Sequence, residues 1–330
     1  MKKVFLALAV AATMVSCFSS EVTPQSDLTK IKFGAAINAA ASRAEDPAIT
    51  TGNIDAFDVW AFMNEPSGVV FSQERVSKDS AGEWGYTNTA YWCADRSYYF
   101  VALAPVDHSN IEIALANAPY IAKEGLGSVT FTNLDGTDDL IYSAPTIITT
   151  PETITSMPVV GLNFKHLLSK IRFSFKNSFL NNEKLVVSDI KVVAKNKAAI
   201  DLTQPTYAWT LDANAADVEL DFGDAKAASQ FAIGEWASCD KNRMTIPADA
   251  SQEYAVSFNV VIYYGDQPSK VIPVTTTIKN CEFKMGTQYH FKVELSGDEM
   301  GLHPIVFGQP EVIDWVTDTN LEQDKDLGLN

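Results

Sequence analysis

The stretch KIKFGAAI, residues 30–37, puts Ile31, Phe33, Ala35 and Ile37 on one face and Lys30, Lys32, Gly34 and Ala36 on the other. A period of two is that of a half-buried β-strand, because successive side chains point to opposite sides of the backbone. Working outward from it, the same period returns along the chain. Phe57, Val59, Ala61 and Met63 share a face, with Trp60 and Phe62 opposite. SYYFVALAP (97–105) predicts a strand stopped by Pro105, and DDLIYSAP (138–145) one stopped by Pro145, since proline cannot donate to a ladder. GSVTFTNL (127–134), LNFKHLLSKIRFSFKN (162–177) and KLVVSDIKVVAK (184–195) add strands, as do YAVSFNVVIYYG (254–265), VIPVTTTIKN (271–280) and YHFKVELSG (289–297). DAKAASQFAIG (224–234) is the one stretch with helical character. Many short strands separated by turn residues predict an all-β chain of two antiparallel β-sandwich domains in tandem. The Thr- and Pro-rich stretch 146–158 places the boundary near 155. The expected division is an N-terminal sandwich over 44–155, a C-terminal sandwich over 156–315 and a polar, acidic tail over 316–330.

A formal net charge of −16 argues against nucleic acid as a partner, because phosphate binding needs a basic footprint. It equally disfavours adsorption of the folded body to anionic membranes. The N-terminus reads as an export signal: Lys2 and Lys3, then an apolar run over 4–15 too short to span a bilayer. Small Ser16 precedes Cys17, and Met14-Val15-Ser16-Cys17 resembles a lipobox. Residues 1–16 are then a lipoprotein signal peptide cut between Ser16 and Cys17, with lipid on Cys17 as the sole membrane attachment. The alternative is an ordinary signal peptide cleaved nearby. Cys93, Cys239 and Cys281 allow at most one intramolecular bridge among themselves and show no zinc spacing.

Motifs that carry chemistry are missing from the sequence. His108, His166, His290 and His303 fall in no metal-ligand pattern, and there is no G-x-S-x-G elbow, P-loop or G-x-G-x-x-G. His166 reads as a packed or edge histidine and His290 as a solvated one. The expectation is a non-enzyme without cofactor or metal. The aromatic cluster EWGYTNTAYWCADRSYYF (83–100) reads as core; an exposed face of it would instead stack on sugar rings. Among Arg43, Arg75, Arg96, Arg172 and Arg243, only Arg43 lies in a run of small residues, NAAASRAED (38–46). Such a run buries little, and accessible backbone is what a protease needs.

Six stretches together resemble the fimbrillin-like family of Bacteroides-type bacteria, whose members build type V pili. They are SRAEDPAITTGNIDAFDVWAF, GEWGYTNTAYW, YYFVALAP, LNFKHLLSKIRFSFKN, MGTQYHFKVEL and IVFGQPEVIDW. The resemblance runs from about residue 30 to Trp315. It implies two transthyretin-like sandwiches, export as a lipoprotein to the outer membrane and cell surface, and a place in a fimbria with a role in adhesion. It also implies maturation between Arg43 and Ala44 by an arginine-specific surface protease. That cut would free segment 17–43 with its removable strand of Ile31, Phe33, Ala35 and Ile37. Other pilus subunits would then be partners by strand addition. The tail after Trp315, VTDTNLEQDKDLGLN, is a poor donor strand, which points to an anchor, tip or accessory subunit. A second reading stays open: a non-polymerising surface lipoprotein that binds a host or glycan ligand.

Overall fold

The computed structural model describes residues 30–314 apart from 38–47, 51, 65–66, 107, 117–123, 181–182, 299–300 and 306. Ser16, Cys17, Arg43, Ala44 and the tail lie outside the described residues. The chain is almost wholly β. In order come β1 (Phe33–Ile37), β2 (Ala56–Asn64), β3 (Gly68–Lys78), β4 (Trp84–Tyr86), β5 (Ser97–Ala104), β6 (Ile111–Leu115), β7 (Gly127–Thr132), β8 (Ile141–Thr149) and β9 (Val160–His166). There follow β10 (Ser169–Asn177), β11 (Lys184–Lys195), β12 (Lys197–Asp201), β13 (Trp209–Leu211), β14 (Asp217–Gly223), β15 (Trp236–Ser238) and β16 (Arg243–Thr245). The last are β17 (Tyr254–Tyr264), β18 (Gln267–Ile278), β19 (Thr287–Leu295), β20 (Gly297–Asp298), β21 (Gly301–Leu302) and β22 (Glu311–Asp314). Among the described residues no helix is long and apolar enough to cross a membrane.

A seven-stranded sheet runs in the order β1-β9-β8-β5-β2-β3-β4, and a four-stranded sheet β13-β12-β7-β6 lies beside it. The second sandwich pairs the sheet β15-β10-β19-β22, with β16 also on β10, against β14-β11-β17-β18; β20 and β21 form a short ribbon. Strand pairing is antiparallel except between β1 and β9 and between β10 and β19, which are parallel. Alternation dictates which faces are buried. Phe57, Val59, Ala61, Phe100 and Ala102 enter one core together with Ile31 and Phe33. Trp60, Phe62, Val101 and Leu103, on the opposite face of the same two strands, enter a second core with Phe131, Leu168, Ile200 and Met244. The second sandwich has its own core around Phe173, Phe175, Val192, Phe222, Phe258 and Phe291.

Three expectations are corrected. The domains do not divide at 155. β9 belongs to the seven-stranded sheet, and β12 pairs with β7 across that point, Ile200 opposite Val129. The sequence between the sandwiches is interleaved because 44–155 supplies only half of the cover for the second face of the large sheet, β6 and β7, and β12 and β13 supply the rest. β8 does not stop at Pro145. Ser143 pairs with Ala102 and Thr146 with Phe100, so the ladder shifts around Pro145 and the bulge absorbs its missing donor. Residues 224–234 form no α-helix. Lys226, Ala227 and Ala228 make one tight turn with φ near +50°, left-handed backbone that cannot propagate a right-handed helix.

Candidate functional site

The seven-stranded sheet rolls until its two ends approach, and β1 lies in the seam between them. On one side β1 runs parallel to β9, with Phe33 beside Val160, Ala35 beside Leu162 and Ile37 beside Phe164. Val160 N–H donates to the Lys32 carbonyl at 2.7 Å. On the other side the strand's approach is held by the segment after β4. Ile31 N–H donates to the Ala90 carbonyl at 3.0 Å, and the Tyr86 hydroxyl donates to the Ile31 carbonyl at 2.7 Å. The Lys30 ammonium lies 5.2 Å from the centre of the Tyr86 ring. Burial pushes the Tyr86 phenol up to about 12, so it stays a donor through the physiological range.

The apolar face of this strand is buried. Ile31 is 0% exposed and Phe33 and Ile37 are 5% exposed, while Ala35 is half-buried against the same core. Phe33 is its centre, with ring centroids of Phe57, Phe71, Tyr86 and Phe100 at 6.2, 5.7, 5.5 and 6.0 Å. At about 1.5–3 kcal/mol for each fully buried large apolar side chain, Ile31, Phe33 and Ile37 make this strand a main support of its core.

The segment that begins at Ala48 is fastened to the fold. Ile49 N–H donates to Asp139 Oδ2 at 2.9 Å, and the same oxygen lies 2.7 Å from His166 Nδ1 at the end of β9. Asp139 and His166 are both buried. Asn53 Nδ2 donates to the Ala48 carbonyl at 3.0 Å. The segment that contains Arg43 is therefore flanked by a strand in the seam on one side and a buried carboxylate anchor on the other. His166 is a packed histidine, as its sequence context suggested. Asp139, Tyr86 and Ala90 have no signal in the sequence, because their roles depend on partners far along the chain.

The other histidine reading is overturned. His290 is buried, not solvated, with Nε2 2.8 Å from Ser174 Oγ and Nδ1 3.6 Å from Glu311 Oε2. Ser174 Oγ is also 2.8 Å from Ser238 Oγ, and Ser174 is buried. The order of groups resembles a nucleophile relay, but the hydroxyl is enclosed and shared, so it ties β10, β15 and β19 together. Cys239 and Cys281 are buried free thiols. Burial raises both, Cys281 to about 11, which keeps them protonated and inert. Among the described residues no group of three or more His, Cys, Asp and Glu side chains is placed to hold a metal. Of the aromatics in 83–100, Trp92, Tyr98 and Phe100 are buried, and Tyr91 is 39% exposed.

Comparison with known proteins agrees with this architecture. Solved structures that share the fold include two from Bacteroides. A fimbrial protein from Bacteroides vulgatus is 17% identical, with a TM-score of 0.56 over 87% of this chain and 100% of that one. A Bacteroides ovatus protein described as a cell adhesion protein is 15% identical, with a TM-score of 0.53 over 88% and 99%. No curated protein matches the sequence. The sequence model of fimbrillin-like proteins matches residues 42–315, nearly the whole of the described structure beyond β1. The chain therefore belongs to the fimbrillin-like family.

Proposed function

We propose that this chain is a cell-surface fimbrial subunit or pilus-associated protein whose assembly is switched on by removal of β1. In this reading it is exported as a lipoprotein through Ser16 and Cys17 and held at the outer membrane by lipid on Cys17. An arginine-specific surface protease then cuts between Arg43 and Ala44. The observation that carries the reading is the position of β1: an apolar strand at the end of its sheet, parallel to β9, occupying a seam just before a run of small residues. The family match begins at residue 42, one position before Arg43, and leaves β1 outside it.

The physics of the cut follows. While β1 is tethered, returning to the seam costs little. Once severed it is a bound peptide, and retention must offset lost translational and rotational freedom of about 4–15 kcal/mol. Its departure would uncover Phe57, Phe71, Tyr86 and Phe100 and an unpaired edge of β9, which an incoming alternating strand would satisfy. The anchor from Asp139 to Ile49 would remain on the trimmed chain. As donor, the tail is poor: it carries Asp318, Glu322, Asp324 and Asp326 among sparse apolar positions. The chain then accepts a strand more readily than it gives one, which suits an anchor, tip or accessory place in the fibre. The alternative of sugar binding by the 83–100 aromatics loses ground, because Trp92, Tyr98 and Phe100 are buried and Trp84, Tyr86 and Tyr99 are partly buried against the cores.

Treating the purified precursor with an arginine-specific protease should yield a chain that begins at Ala44. That chain should bind a pilin strand peptide or form oligomers, and Arg43→Ala should stay monomeric. Continued tight retention of residues 18–43 after the cut, with no affinity for any pilin strand, would falsify the mechanism.

A further inference from the structure

The seam receives β1 on two sides, and its second side is built around one buried carboxylate. Along β3 the alternation of inward side chains slips by one residue: Phe71 is buried, and then Glu74 and Val76. The slip falls at Gln73, where the backbone is left-handed at φ 57° and the β2–β3 ladder shifts register. A bulge thus turns Glu74 inward, where an unbroken strand would point it to solvent. Glu74 Oε1 accepts from the N–H groups of Thr87 and Asn88, both at 2.9 Å, and Oε2 accepts from Asn88 Nδ2 at 2.6 Å. Three charge-assisted bonds to one carboxylate fix the chain just after β4. From that stretch the Tyr86 hydroxyl and the Ala90 carbonyl reach Ile31.

These groups make specific demands on a strand. The Ala90 carbonyl takes the N–H of Ile31, and the Tyr86 hydroxyl donates to the carbonyl of the same residue. Both backbone groups of one residue are therefore read. A proline there has no N–H and would leave the Ala90 carbonyl unanswered. The preceding residue lies over the Tyr86 ring, with the Lys30 ammonium 5.2 Å from its centre, and the negative face of a ring favours a cation over an acid. The β9 side, by contrast, is an ordinary parallel ladder that any extended strand can join.

We propose that Tyr86 and Ala90, positioned by Glu74, form a clip that selects the strand entering the vacated seam. The occupant is an extended segment of another subunit. It carries a basic residue, then an apolar residue other than proline at the clip, then alternating apolar residues along β9. The selection rests on the removal of β1 proposed above and adds to it the chemistry of the partner. Glu74 is a positioning residue, since it touches the clip and not the strand. The clip also turns away the chain's own tail, in which the single basic residue, Lys325, is followed by Asp326.

The test has two arms. In the full, uncut chain, hydrogen exchange resolved by NMR should show the Ile31 amide exchanging about tenfold faster in Glu74→Ala, with part of the protection recovered in Glu74→Gln. The Val160 amide, which donates on the β9 side, should change by about twofold at most. The second arm takes the chain trimmed by an arginine-specific protease and titrates it with the synthetic peptide KIKFGAAI, residues 30–37, read by fluorescence anisotropy. Methylation of the Ile31 nitrogen should weaken binding about tenfold and Lys30→Glu about fivefold, while Lys30→Arg should stay within about twofold. In trimmed Glu74→Ala the penalty of methylation should shrink to about twofold, a ratio that a merely structural role would not move. Should Glu74→Ala fail to fold, Glu74→Gln and the peptide series decide the matter. Equal Ile31 exchange with and without the Glu74 carboxylate would overturn its positioning role. Equal affinity for the parental, methylated and Lys30→Glu peptides would overturn the selection and leave strand exchange standing. No uptake of the parental peptide would overturn both together.

Discussion

Phe33 touches four other rings, so no single neighbour can fill the space it leaves. Phe33→Ala should destabilise the uncut chain by about 3–5 kcal/mol, read as a lower denaturant midpoint. After trimming at Arg43 the variant and parent should unfold at the same midpoint; a persisting gap would mean that β1 stays bound. Tyr86 gives the seam a pH dependence. Its folded value, about 12, lies above the ordinary phenol value of 10, because burial disfavours the phenolate. Its contribution is therefore complete below pH 10 and lost as pH rises through about 12. Tyr86→Phe should flatten that part of the stability profile and cost about 1 kcal/mol at neutral pH, measured by unfolding across the range. Ile31, Phe33 and Ile37 were legible from their spacing, since burial of one strand face is a local property. Tyr86 was not, because it reaches Ile31 across 55 positions of the chain. His290 misled for a related reason: alternation marks it as outward-facing, and only the fold brings Ser174 to its ring.

β9 divides its pairing between two neighbours. It pairs with β8 only at Phe164, Lys165 and His166, whereas β1 pairs with it from Val160 to Phe164. Among the described residues the first half of β9 thus has β1 as its sole ladder partner. Amides of residues 160–162 should exchange with solvent at least tenfold faster in the trimmed chain, and regain protection when a strand peptide is added. Hydrogen-exchange mass spectrometry of the three species reads this directly; equal protection in all three would show that β9 is held by packing alone. Strand existence was largely readable at this scale, but strand ends were not. Pro145 reads as a stop because it lacks a donor, yet a bulge opposite Val101 lets β8 continue to Thr149. In 224–234 the small residues suggest a helix, but Ala227 and Ala228 serve a tight turn.

In the whole molecule, the boundary near 155 failed because composition marks where the chain looks loose, not which sheet a later strand joins. β12 returns to pair with β7, and Leu167, Leu168, Ile200 and Met244 line the second face of the large sheet. A fragment ending at residue 155 should remain largely unfolded by circular dichroism, because it lacks β9 and this cover; a cooperative unfolding transition from it would restore the simpler division. The all-β class itself was legible, since alternation repeats in nearly every segment. One consequence of the two-faced sheet remains. β2 and β5 carry Phe57 and Phe100 on one side and Trp60 and Val101 on the other, so a single layer of backbone separates two cores. That layer acts as a bulkhead. Were the compartment holding Phe33 breached as proposed above, the one holding Phe131 and Leu168 would keep its own packing, and the molecule could wait with one hold open without foundering.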